Sequence, residues 1–212
     1  MISLGSIGGT TLEIDFSFFI LLAFFVVMNY DPSRGIEYSL LWILVVFISV
    51  LVHELAHAAT IALFGYGSSR IVLGGMGGVT MNARVAKPWH DMLISIAGPL
   101  SSFALMFAMR AFWATGMPQG DRMLSSLVPL MAAMNEWWGY FNLIPVPPLD
   151  GGHFVRDLLR TFMPDAKAAP IATWIALIGG GAVAIFFAVS GFMFGAVLIG
   201  WFTFMAFQQG AR

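Results

Sequence analysis

The sequence has no cysteine, little charge and no long polar stretch, and each absence narrows what it can be. Without cysteine there are no disulfides and no thiolate metal sites, so any metal must be held by histidine and carboxylate. Charged residues make up 10% of the 212 residues, against about 25% in an ordinary soluble domain. A net charge of −1 leaves no electrostatic footprint for nucleic acid. Residues 1–15 contain no Lys or Arg, unlike the positive start of a cleaved signal peptide. What remains is 59% hydrophobic with a mean hydropathy of +0.86. The expectation is an all-α, multi-pass membrane protein, set in a lipid bilayer and folded as one domain over residues 1–212.

Taken in order, residues 1–15 alternate short apolar and Gly/Thr positions and predict a hairpin or extended segment at the membrane surface. Residues 16–30 form a first apolar span, somewhat short of the usual 20 or so residues. Residues 31–35 are a turn, and residues 38–64 are a second span stopped by Gly65 and Gly67. Residues 66–87 hold Gly74, Gly75, Gly77 and Gly78 among β-branched residues. They are too irregular for a helix and too apolar for a solvated loop, so they predict short membrane-associated strands. A third span covers residues 90–116 and contains Pro99, which either kinks the helix or is packed by neighbours. A fourth covers residues 123–144 and breaks at Pro145, Pro147 and Pro148. An amphipathic helix at 152–163 follows, with Arg156, Asp157 and Arg160 on its polar side. Residues 167–189 and 192–207 complete about six transmembrane helices, with Gly179, Gly180, Gly181, Gly191 and Gly195 read as close-packing positions. The core is residues 38–160 and the C-terminal pair is 167–207.

Six spans place Arg70, Arg84, Lys87, Arg156, Arg160, Lys167 and Arg212 on one side, and Arg34 and Arg122 on the other. An excess of cations marks the cytoplasmic side, so both termini are expected there.

One stretch of the second span carries chemistry. His53-Glu54-Leu55-Ala56-His57 reads H-E-x-x-H. Two histidines four apart lie on one helix face and can reach one metal ion, while Glu54 points elsewhere and can act as a base. Charged groups at the centre of a membrane helix cost roughly 2.5–3.5 kcal/mol each and persist mainly where function needs them. His57 precedes Gly65 by eight residues, which sets it roughly 12 Å along the helix from its cytoplasmic end. A catalytic zinc takes three protein ligands and keeps one open position. Glu136 and Asp150 are the candidates for the third in apolar context, with His90 and His153 at span boundaries. Asn142 reads equally as an oxyanion-stabilising amide or as a helix–helix hydrogen bond.

Together, the H-E-x-x-H and the later run from Asn142 through Pro145, Leu149 and Asp150 to Gly151 resemble the site-2 protease family of intramembrane zinc metalloproteases. That family pairs H-E-x-x-H with N-x-x-P-x-x-x-L-D-G, and both are complete here. Ala97-Gly98-Pro99 and Asn135 resemble further positions of the family. The resemblance implies that His53, His57 and Asp150 bind one zinc ion, that Glu54 is the general base and that Asn142 positions the substrate or its oxyanion. It implies that Gly74, Gly75, Gly77 and Gly78 lie in a substrate-presenting strand region. It also implies a transmembrane protein as substrate, cut in regulated intramembrane proteolysis in a prokaryotic plasma membrane. The family's added PDZ and CBS domains have no room in this sequence. The competing reading is a non-proteolytic metal-binding membrane protein, either a transporter or an inactive scaffold. Inverted repeats and a polar path, which a transporter needs, are not evident, and oligomeric state is open.

Overall fold

The computed structural model describes residues 1–83 and 87–210. Expectations that fall on residues 84–86 and 211–212, including the cations Arg84 and Arg212, lie outside the described residues. The fold is mostly helical with one four-stranded sheet. Its contacts group into two units, Met1–Val85 with Ala97–Gly139, and Ala86–Ile96 with Tyr140–Arg212.

The first unit starts with the hairpin expected at the N-terminus, β1 (Ile2–Ile7) and β2 (Thr10–Ile14), which pair antiparallel. Asp15 then caps α1 (Phe16–Met28) by accepting from the Ser17 N–H at 2.9 Å. The next helix is α2 (Ile36–Leu63), and Gly65 and Gly67 follow it with φ of 74° and 85°. Such left-handed values suit glycine and end a helix cleanly. The Gly-rich segment forms the expected strands, β3 (Ser69–Gly74) and β4 (Gly77–Asn82), again antiparallel. The two hairpins join through parallel pairing of β2 with β3, giving the order β1-β2-β3-β4. The inner face of the sheet packs Ile71 and Leu73 against Phe18 of α1 and Val45, Val46 and Val50 of α2, all of them buried.

Two further helices contribute residues to both units. In α3 (Pro88–Ala114) the expected interior Pro99 is fully buried, so it is packed by neighbours. A short 3-10 turn, Met117–Gly120, leads to α4 (Arg122–Asn142). The second unit adds α5 (Asp150–Phe162), α6 (Asp165–Val189) and α7 (Met193–Gly210). Its core gathers Ile144, Val146 and Leu149 with Ala176, Ile199, Phe202 and Ala206. An α-carbon substituent on Gly180 would collide with Thr203 and Val146, the close packing expected of it. Gly181 and Gly191 do not pack this way. Gly181 faces open space, and Gly191 has a φ of 82° in the turn between α6 and α7.

Among the described residues three helices, α2, α3 and α6, are long and apolar enough to cross a membrane; α1 and α7 are apolar but shorter. The amphipathic α5 begins at Asp150, two residues earlier than its spacing suggested. Asp157, expected on its polar side, is buried and accepts from Arg160 at 2.8 Å.

Candidate metal centre

Ser49, His53 and His57 recur every four residues along α2, so they share one face, and all three are buried. The two imidazole centroids lie 5.0 Å apart with planes at 75°. Facing them is Gly98 of α3. A methyl group at Gly98 would fall inside 3.0 Å of both His53 Nε2 and His57 Nε2. The two nitrogens therefore converge on one small volume that the missing side chain leaves free. One turn further along α3, the buried Ser102 Oγ lies 3.0 Å from His53 Nδ1. With its proton on Nδ1, His53 donates to Ser102 and turns the Nε2 lone pair into that volume, the usual way of fixing a ligand's tautomer. Two converging imidazole nitrogens, in a chain without cysteine, suit zinc as part of a histidine and carboxylate donor set.

Glu54 faces the sheet, and the register explains how. Ile71 pairs with Thr80 and Leu73 with Gly78. Directly opposed residues share a face of the sheet. Since Ile71 and Leu73 point into the α1/α2 core, Thr80 and Gly78 point the same way and meet α2. Thr80 Oγ1 donates to Glu54 Oε2 at 2.7 Å and lies 3.2 Å from the Glu54 carbonyl oxygen. A side chain at Gly78 would run into the Glu54 carboxyl group. The other expected glycines also make close approaches. Gly75 donates its N–H to Ser17 Oγ at 2.9 Å, Gly74 lies over the same hydroxyl, and Gly77, with a φ of 112°, packs on Trp138.

In the second unit, Asn142 is buried at the end of α4. The chain then turns tightly, with the Val146 N–H donating to the Ile144 carbonyl at 2.7 Å and the Leu149 N–H to the Val146 carbonyl at 2.9 Å; the Pro147-Pro148 bond is cis. Asp150 opens the first turn of α5, where a helix N-terminus favours a carboxylate. Side chains at Gly151 and Gly152 would strike the backbone of Leu143 and Ile144 and of Val146 and Pro147. The two glycines thus let α5 begin directly against the chain that follows Asn142.

The other candidates are placed differently. Glu136 accepts from Arg110 at 2.7 Å in a half-exposed ion pair. His90 packs edge-on against Trp89, and His153 is exposed. Asn135, on α4, is fully buried and its amide donates to Ser49 Oγ at 2.9 Å and to the Met131 carbonyl at 2.8 Å. Sequence reasoning missed Thr80 and Ser102. Ser102 had one legible signal, a hydroxyl one turn after Gly98 in an apolar helix; Thr80 had none.

The chain is similar to several known proteins. Residues 116–186 match the model of peptidase family M50, and residues 18–138, more than half of the chain, match that of M50B-like peptidases. The zinc metalloprotease MJ0392 of Methanocaldococcus jannaschii is 31% identical over 174 residues, covering 81% of this chain and 49% of the relative. The chain thus spans about half the length of that relative. The solved structure of the site-2 protease from Methanocaldococcus jannaschii superposes with a TM-score of 0.63 at 26% identity, covering 100% of this chain and 95% of that one. On these matches, and on apolar helices long enough to cross a bilayer, the chain is an integral membrane protein of peptidase family M50, the site-2 protease family.

Proposed function

We propose that the chain is an intramembrane zinc endopeptidase that hydrolyses peptide bonds within or near transmembrane segments of membrane-protein substrates. The observation that carries the reading is the convergence of His53 Nε2 and His57 Nε2 over Gly98, beside a Glu54 held by Thr80. His53 and His57 would hold one zinc ion, with Asp150, placed in the family's second motif, as the third ligand. Zinc bound there supplies Lewis acidity and makes water nucleophilic near neutral pH.

The remaining steps belong to the chain. Glu54 takes the proton of the attacking water on a carboxylate oxygen and passes it to the leaving nitrogen as the C–N bond breaks. Thr80 holds that carboxylate in one orientation while the proton moves. Asn142 offers its side-chain amide to the carbonyl oxygen where negative charge develops. The buried faces of α2 and α3 keep bulk water out, which strengthens each of these contacts.

A helical substrate hides its carbonyls, so it must unwind before it is cut. Among the described residues β4 is the edge of the sheet next to Glu54, and β3 is covered on both sides. The unwound segment pairs with the β4 edge by strand addition. The glycines keep this region thin, and the backbone does the recognition. Substrates therefore carry helix-weakening residues near the cut. The setting is a prokaryotic plasma membrane with both termini cytoplasmic, and the role is regulated intramembrane proteolysis.

The test is cleavage of a single-span model substrate by purified protein, wild type against Glu54→Gln, with zinc measured in both. Cleavage by wild type alone, with about one zinc per chain in each, supports the mechanism. Zinc in both with no cleavage of any of several substrates would favour the non-proteolytic metal-binding reading. No zinc in either overturns the ligand assignment.

A further inference from the structure

Hydrolysis consumes one water for every peptide bond, and a site enclosed by apolar helices has to be resupplied. The contact of α2 with α4 carries a polar pair that the mechanism above does not use. Asn135 is fully buried, and both its amide protons are committed, to Ser49 Oγ and to the Met131 carbonyl. These two bonds fix which way the amide faces. Its carbonyl oxygen, Oδ1, is buried and has no hydrogen-bond partner among the described residues. Ser49 is likewise fully buried. Its oxygen accepts from Asn135, which leaves its own hydroxyl proton to donate elsewhere.

A fully buried amide carbonyl without a partner is rare, because its desolvation is uncompensated. A spare acceptor and a spare donor on two adjoining side chains are what a single water molecule satisfies, accepting from one and donating to the other. Ser49 lies four residues before His53 on the same helix face, a rise of about 6 Å. That distance is two water molecules, one beside the serine and one at the imidazoles.

We propose that Asn135 Oδ1 and Ser49 Oγ hold one buried water a helical turn from His53, on the side away from the C-terminus of α2, and that this water restocks the hydrolytic site. The restocking half rests on the protease reading above; the water site itself does not.

The experiment uses zinc-loaded protein in lipid nanodiscs, without substrate, exposed briefly to radiolytic hydroxyl radicals. Met131 is the reporter, since it is buried and sits one turn from Asn135 on the same face of α4. The exposed Met117 is the internal control. Bound water beside Asn135 makes Met131 oxidise several-fold faster in wild type than in Asn135→Leu or Ser49→Ala, with Met117 unchanged. Oxidation as slow in wild type as in both variants, or equally fast in all three, overturns the site. Zinc content checks that each variant folds; should Asn135→Leu fail, Ser49→Ala decides alone. Turnover is the second arm. Both variants lower kcat several-fold at unchanged KM if the water restocks the reaction. Unchanged kcat alongside lost oxidation overturns that half and leaves a structural water. A protein that shows the labelling difference but cleaves nothing separates failure of the protease reading from failure of the water site.

Discussion

Gly98→Ala separates the metal centre from the fold that carries it. Gly98 lies inside α3, and its φ is not in the left-handed range that only glycine tolerates. On helix propensity alone, alanine should stabilise that position by about 0.8–1 kcal/mol. The added methyl, however, would lie inside 3.0 Å of both His53 Nε2 and His57 Nε2. A ring must turn away to make room, and the turned ring no longer points at the shared volume. If a structural zinc site is worth roughly 10 kcal/mol or more, loss of one ligand in three costs about 3 kcal/mol. That is on the order of a hundredfold in affinity. The variant should keep wild-type helix content by circular dichroism, unfold no more easily than metal-free wild type, bind zinc about a hundredfold more weakly in chelator competition, and cleave nothing at limiting zinc. Wild-type zinc affinity in Gly98→Ala would refute the convergence of the two imidazoles on Gly98.

Three other perturbations test the same geometry and one tests the sheet. Thr80→Val removes a hydrogen bond to a carboxylate worth about 1.5–3 kcal/mol. It should lower kcat by roughly tenfold or more at unchanged KM, with Thr80→Ser restoring most of it; an unchanged kcat means that Thr80 does not orient Glu54. Ser102→Ala should weaken zinc binding by roughly 10–100-fold without changing the number of ions bound, read by competition with a chelator. Gly78→Ala should abolish cleavage while zinc binding persists, because the methyl displaces the Glu54 carboxyl group and no ligand. Arg70 hydrogen-bonds Glu13 and holds its carboxyl below the usual range. A depressed carboxylate supports the fold above its unfolded value, and that support is lost as pH falls through the folded one. Protection of the β1 and β2 amides, taken relative to the unstructured exchange rate at each pH, should therefore fall below about pH 4.3. Arg70→Ala should flatten that dependence.

Much of the centre was legible in the sequence because its parts obey local spacing. His53 and His57 follow helical period, and α2 does bring them to one face with Ser49. The glycines at 74–78 broke helical period in an apolar stretch, and a tight hairpin stands there. What was not legible depends on contacts between distant segments. Parallel pairing of residues 10–14 with 69–74 leaves no local mark, since each strand alone reads only as an apolar alternation. Thr80 reaches Glu54 only because the β3/β4 register sets it opposite Ile71. α5 starts two residues before its spacing suggests because Gly151 and Gly152 look like a loop in sequence; their small size instead lets the first turn lie against Leu143 and Pro147. At Gly191 the sequence is ambiguous, because a small residue in an apolar run serves either packing or a turn, and its φ decides for the turn.

The two margins of the sheet are unlike one another. β1 slips register between Ser3 and Gly5, whereas β4 matches β3 residue for residue over six pairs. A bulge twists a margin and spoils it as a template for a further strand. The sheet is thus sided, with a spoiled margin at the N-terminus and a straight one beside Glu54. Under the proposed function, a strand arriving from outside would find a regular template only beside Glu54, and pairing of like chains would be disfavoured at the other margin.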